Sequence, residues 1–417
     1  MNLYRLELKR VCKTRMTAIL LAIALVLAVV MAYLPVTFIG WTELDASGNK
    51  VSYTGLKAIR KRQEQQVSGT ITPDVMQEAL EAYQRVYRQH DASSINDIPV
   101  EVFYKELARY QPLVNNAKEA FADSKTGMAP GVMGLTAEDM QNFYSQLPKR
   151  LESVIWLEQS GKPGYEQAQA IAQKKFDAVQ KPFTYSFGVS SDAMDYQTLL
   201  SLLLTLLCAV IAAPVFASDA QTGAQDIQLC TKNGGLRLAA AKLAAAFSIT
   251  GAAYLLCGVV WILVTNALFG WESTQTSVQW LFSVTSLLPY TVGQMEWVML
   301  VANFLIFFAE VAFVLMASVW AKNNLTALSV ALISVVAPLI VYMVVPGSFG
   351  EWLSTLIPAG GIGLSNALLY KMIGFDFLYA GGHAFFQADV LLASAPIKIV
   401  LLVGLAAWGY LRKTKVA

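Results

Sequence analysis

Six apolar runs constrain this chain more than any other feature. They lie at about Met16–Ile39, Tyr196–Ala217, Leu238–Phe269, Trp297–Trp320, Leu325–Val345 and Ala395–Leu411. They run from 17 to 32 residues, enough to cross a hydrocarbon core near ~30 Å. Backbone in hydrocarbon must satisfy its own hydrogen bonds, so each run is expected to be a helix. The third is longer than a crossing needs and should tilt or extend past the interface. With 55% apolar and 14% charged residues, the whole composition is that of a membrane protein.

The charges are unevenly placed. Twenty of the 29 acidic residues fall between residues 40 and 195, leaving the rest of the chain poor in acid. Basic residues mark the other connections. Arg5, Lys9, Arg10, Lys13 and Arg15 precede the first run, and Lys232, Arg237 and Lys242 follow the second. Lys322 follows the fourth, and Arg412, Lys413 and Lys415 follow the sixth. If the six helices alternate, all four clusters share one side, the cytoplasmic one by the positive-inside rule. Both termini are then cytoplasmic in a cell membrane, and residues 40–195 are extracytoplasmic. The first run is too long for the apolar core of a cleaved signal peptide. Residues 1–15 form an amphipathic helix, with Tyr4, Leu8, Val11 and Cys12 on one face and Arg5, Lys9 and Lys13 on another. Such a helix is expected to lie on the inner leaflet, its lysines toward anionic lipid.

The insert of residues 40–195 is long enough for its own core and is expected to be helical. Thr72-Pro73-Asp74 is a helix start, followed by Val75, Ala79, Tyr83 and Val86 on one face. Thr136-Ala-Glu-Asp139 is a second start, followed by Phe143, Leu147, Leu151 and Val154. Ala168, Ala172, Phe176 and Val179 mark a third helix, and residues 127–134 a Gly/Pro/Met-rich break. No strand-like alternation of any length occurs there. The outer loops 270–296 and 346–394 are too apolar for open loops, which points to partly membrane-embedded segments with Trp and Tyr at headgroup level. The expected fold is therefore an all-α polytopic membrane protein: six spans, a large outer helical domain between the first two, and a five-helix membrane unit over 196–417.

Enzyme signatures are missing. The sequence has no phosphate-binding Gly-x-x-x-x-Gly-Lys-Ser/Thr loop, no Gly-x-Ser-x-Gly elbow and no His-Glu-x-x-His. His90 and His383 are too far apart in sequence to form a clustered zinc motif. The cysteines Cys12, Cys208, Cys230 and Cys257 avoid the insert and read as reduced structural thiols. A net charge of +2 gives no case for nucleic acid. Within the spans, Glu310 stands out, because a charge at that depth costs about 3 kcal/mol unless paired. With Asn303 two turns earlier, it is a candidate polar point in a path or at a seam. Pro214 and Pro338 are expected to bend their helices.

The segment 218–238, between the second and third runs, carries the functional expectation. It reads as one short helix with Asp219, Thr222, Gln225 and Asp226 on one face and Ile227 and Leu229 nearby, ended by Gly234-Gly235. An amphipathic helix at a membrane hairpin tip can dock in a partner's groove. The order Phe216, Asp219, Thr222-Gly223, Leu229, Thr231, Lys242 resembles the second-to-third-span loop of permease subunits in the type-2 ATP-binding-cassette transporter family. The basic amphipathic start Leu3–Arg10, the large outer domain, the Lys322-Asn323-Asn324 turn and the apolar loop before the last span are similar to it too. Asp219 stands where that family more often has Glu, Lys232 where Pro is frequent, and Gly235 where Arg is usual.

The resemblance implies a permease of an ATP-driven exporter, working as a dimer with a second copy or a related permease. It would bind no cofactor itself; a separate cytosolic ATPase would bind the ATP. Docking would involve Glu7, Asp219, Thr222, Gly223, Gln225, Asp226, Leu229, Thr231 and Arg237. Two readings compete. One is a receptor, sensor or force-transmitting subunit with a ligand-binding outer domain; the other is a membrane-embedded enzyme.

Overall fold

A computed structural model describes residues 3–44 and 49–414. It is mostly helical, and six helices are long and apolar enough to cross a membrane: Arg15–Thr37, Ser191–Gln221, Leu236–Phe269, Val292–Trp320, Asn324–Val344 and Gln387–Lys413. We call these the first to sixth spans. The fourth begins five residues before the apolar run that announces it, because Thr291 and Gln294 form a reciprocal capping box.

Small residues let the spans approach closely. Ala24, Ala28 and Ala32 make a buried stripe at four-residue steps on the first span, which packs on the second and third. On the third span, a side chain at Gly258 would meet Leu300 at 2.2 Å, and one at Gly251 would meet Phe308 at 2.8 Å. These glycines let the fourth span seat its bulky residues.

Pro214 breaks the second span into Ser191–Ala212 and Pro214–Gln221. The break leaves backbone groups without helical partners, and Ser318 of the fourth span takes them up. Its hydroxyl donates to the Ala213 carbonyl at 2.6 Å and accepts from the Phe216 and Ala217 amides at 3.1 Å. Pro338 by contrast lies inside an unbroken helix, Asn324–Val344.

The segment between the first two spans has the expected helices. Thr72 caps Pro73–Gln89 by accepting from the Val75 amide, and Thr136 with Asp139 makes a capping box. Phe143, Leu147, Leu151, Ala168, Ala172 and Phe176 are fully buried. The second helix is divided, however, into Ala137–Gln141 and Phe143–Gln159. Nor is the chain all-α. Gly40–Leu44 pairs with Lys50–Thr54, Gly69–Thr70 with Thr184–Tyr185, and Phe377–Ala380 with His383–Phe386. These strands are two to five residues long, too short to show as alternation in the sequence.

The two apolar loops are structured against this segment. Ser277 and Thr184 exchange bonds, Ser277 N donating to the Thr184 carbonyl at 2.9 Å and Thr184 N to Ser277 Oγ at 3.0 Å. Gln159 donates to the Phe375 carbonyl at 2.7 Å and accepts from Tyr379 at 2.9 Å. Lys175 pairs with Asp389 at 3.0 Å. One continuous apolar core joins the spans and the inserted segment.

Candidate functional site

At the end of the bundle that carries the basic clusters, the chain makes a sharp turn at Lys13–Thr14. The helix Leu3–Cys12 folds back against the third span. Its inward face differs from the sequence expectation. Glu7 and Val11 are buried, Tyr4 Oη donates to Ser248 at 3.0 Å, and Cys12 is exposed. Arg5, Lys9 and Lys13 face outward as expected.

Glu7 is the first member of a buried ionic cluster. Arg10 joins it at 2.8 Å, reaches Asp219 at 2.9 Å, and donates to the Val215 carbonyl at 3.0 Å. Lys242 of the third span donates to the second Asp219 oxygen, and to Gln228 at 3.1 Å. Its ammonium lies 5.5 Å from the centre of the Phe216 ring, which packs on Tyr410 of the sixth span. Two acids and two bases thus neutralise each other. The N-terminal helix, the second and third spans and the loop between them are fastened at one point, with the sixth packed alongside. Breaking such a pair leaves a charge stranded in a low dielectric, so the cluster holds its parts stiffly.

The loop is not a single helix. Pro214–Gln221 ends at Thr222, Gly223 turns the chain with a φ of +71°, and Ala224–Leu229 follows. A side chain at Gly223 would strain that left-handed turn. Gly234 has a different task. A Cβ there would stand 1.7 Å from the Gln228 carbonyl oxygen, so only glycine lets the loop close on itself.

This geometry divides the residues that the sequence grouped together. Glu7, Asp219 and Gln225 are buried and Leu229 is half-buried; the first two belong to the ionic cluster. Glu7 and Asp219 are internal supports rather than contact surface, whereas Gln225 and Leu229 reach a cleft at the tip. Thr222, Gly223, Asp226, Thr231 and Arg237 are exposed at the tip. Thr222 donates to the Ser218 and Asp219 carbonyls, Thr231 donates to the Gln228 carbonyl, and Arg237 reaches Asn233. Ile227 is the surprise: an isoleucine 74% exposed in the middle of the tip. Beside it a cleft of about 610 Å³ is lined by Gln225, Asp226, Leu229, Trp320, Arg412 and Lys413.

Gln221 accepts from the Asn324 amide at 3.0 Å, tying the tip to the turn between the fourth and fifth spans. Sequence reasoning did not find Arg10 as a partner of Asp219 or Gln228 as a partner of Lys242. A signal did exist: Arg10 follows Glu7 by three residues, one helical turn.

Deeper in the bundle, Glu310 is fully buried and Asn303 is 3% exposed. They do not bond to each other. Glu310 accepts from Ser334 of the fifth span and therefore ties the fourth span to the fifth. Lys398 of the sixth span donates to the Thr355 and Ile357 carbonyls at 3.0 and 3.2 Å. Among the described residues no three His, Cys, Asp or Glu side chains group to hold a metal. Comparison of the chain with protein-family models, with curated proteins and with solved structures gave no match.

Proposed function

We propose that the protein is the permease subunit of an ATP-driven exporter, paired in the membrane with a second copy or a related permease. A separate cytosolic ATPase would work on the 222–237 tip. One observation carries the reading: the tip is clamped to its spans by Arg10, Asp219 and Lys242 while Thr222, Asp226, Ile227, Thr231 and Arg237 are exposed on its outer surface. A coupling element needs both properties. It must be rigid toward the membrane, so that a push is transmitted, and open toward its partner.

Ile227 would be the apolar anchor in the partner's groove, with Thr222, Asp226, Thr231 and Arg237 as its polar rim. The charge distribution supports a cytosolic position for the tip, since the basic clusters gather at its end of the bundle. The acid-rich insert then lies outside the cell membrane. The chain itself would hold no nucleotide.

The test is co-purification. Ile227→Asp should abolish capture of an ATPase subunit from the native membrane while the protein keeps its thermal midpoint. Undiminished capture by Ile227→Asp would refute docking at the tip.

A receptor or force-transmitting role has its own supporting observation. Gln63, in the insert, donates to the carbonyls of Phe269, at the end of the third span, and Phe187, at 2.6 and 3.1 Å. A cavity of about 540 Å³ nearby is lined by Arg62, Gln111, Asn116, Tyr185 and Asp192. A ligand there could pull on the span directly. Saturable ligand binding by the full chain, with no flux in vesicles containing the ATPase, would favour that role.

A further inference from the structure

Where the inserted segment meets the first two spans, one guanidinium has no counter-ion. Arg62 lies in the last turn of the helix Leu56–Gln65, where the helix dipole favours a positive charge. Its guanidinium stacks over the Phe187 ring, 4.1 Å from the centroid, and lies 5.9 Å from that of Trp41. Its Nε is buried without a hydrogen-bond partner. Glu64, two residues on, pairs with Lys61 instead, at 3.5 Å. Burial pushes the Arg62 pKa down from its ordinary value, and the groups opposing that shift are Tyr185 and Tyr104, not a carboxylate. An arginine stays charged at any physiological pH, so the fold holds a cation among aromatic rings with nothing to neutralise it.

That cation borders a cavity. Arg62 lines a space of about 540 Å³ together with Phe187 and Tyr185, the ring it stacks on and a phenol that acts on its charge. Gln111 and Asn115 line it too, as exposed amides able to donate. Asp192 is the one acid in the lining. It is exposed to solvent and sits in the first turn of the second span, whose N-terminal amides offset its charge. The uncompensated charge of the cavity is therefore positive. Phe38, at the end of the first span, also lines it; this ring is 63% exposed and stacks on Tyr196 of the second span, centroids 6.2 Å apart. The cavity thus joins a basic wall to an apolar edge at the level where the first span ends and the second begins.

We propose that this cavity binds a phosphate group, with the Arg62 guanidinium as its counter-charge and the Gln111 and Asn115 amides as further donors. The planar fork of arginine matches a phosphate with two parallel hydrogen bonds. The volume suits a small polar head. Two sources can supply such a group, a phospholipid head group with its tails along Phe38 or a soluble phosphate monoester. The inference goes beyond the exporter reading, and its failure would leave the Ile227 test untouched.

The experiment is calorimetric titration of the purified full-length chain in an uncharged detergent. The probes are glycerol phosphate, dioctanoyl phosphatidylglycerol and dioctanoyl phosphatidylcholine, whose choline masks the phosphate charge. Phosphatidylglycerol or glycerol phosphate should bind saturably, and phosphatidylcholine about tenfold more weakly. Binding of both anionic probes assigns the site to the phosphate whichever molecule carries it. Binding of the anionic lipid alone assigns it to the membrane, and of glycerol phosphate alone to a soluble ligand. Arg62→Gln should weaken binding by about tenfold or more. If that variant does not fold, Asn115→Asp, which sets a negative charge at an exposed position of the lining, should do the same. Absence of saturable heat with both anionic probes would overturn the proposal. So would equal affinity for phosphatidylcholine, which would mean that the tails alone bind, or undiminished affinity in either variant.

Discussion

Lys242 and Asp219, 23 residues apart, meet in the interior at the base of the loop they flank. The lysine is 1% exposed. A charge so placed persists because the aspartate neutralises it and Gln228 Oε1 accepts a second hydrogen bond from the ammonium. The pair joins the two rods that carry the tip and fixes the angle at which the tip leaves the membrane.

Replacing Lys242 with Met should therefore cost about 3–5 kcal/mol, the usual loss when one partner of a buried pair is removed. The double variant Asp219→Leu with Lys242→Met should recover part of it, since no unpaired charge remains between them. Thermal midpoints of the four proteins of the cycle give the coupling directly. Strict additivity of the two single changes would show that the pair does not hold the loop.

Ile227 should behave in the opposite way. At 74% exposure it contributes little to the core, so Ile227→Ser should change stability by no more than about 0.5 kcal/mol. Its effect should appear in partner capture alone, read by co-purification at matched expression. A large fall in midpoint would mean that the residue is structural after all.

Gly234→Ala places a methyl group against the Gln228 carbonyl, which is backbone and cannot yield cheaply. The loop should open, and amide exchange across residues 222–235 should quicken with little change in the spans. Gly235→Ala is the control, because a Cβ there meets nothing within 4 Å. Similar exchange in both variants would contradict the close approach.

The inserted segment should unfold in alkali. Burial raises the phenols of Tyr144 and Tyr185 to about 12. Tyr144 donates to the Ile71 carbonyl and accepts from the Phe183 amide; Tyr185 donates to Gln66. Both rings are held neutral in the fold, whereas an unfolded tyrosine ionises near about pH 10. Their contribution is thus complete below about pH 10 and is lost as pH rises toward 12. Tyr144→Phe should flatten that alkaline fall and lower stability at neutral pH by about 1–3 kcal/mol, through the Phe183 amide and Ile71 carbonyl left without a partner. Circular dichroism against pH separates the two effects.

Much of this architecture was legible without coordinates. The apolar runs set the number and approximate limits of the six helices. The capping signals at Thr72 and Thr136 placed their helices to within a residue or two. The same kind of signal at Thr291 and Gln294 would have put Glu296 inside the fourth span, where it stands fully buried. Hydropathy alone leaves Glu296 out, because the most apolar stretch starts one residue later, at Trp297. The short strands escaped as well, since two to five residues do not make a period.

The sequence by itself determined the solvent. A chain with so many long apolar runs can satisfy its backbone in lipid only as helices, whatever packs against them. It also determined which end carries the positive charge. Only the tertiary structure decided what the polar residues do, because that depends on which distant groups meet. Asp219 and Glu7 look like surface acids along the chain and become internal fasteners once Arg10 and Lys242 reach them. Ile227 looks like a core residue and is left in the open. Hydrophobicity is a property of each segment and can be read locally, but the pairing of charges is a property of the assembled fold.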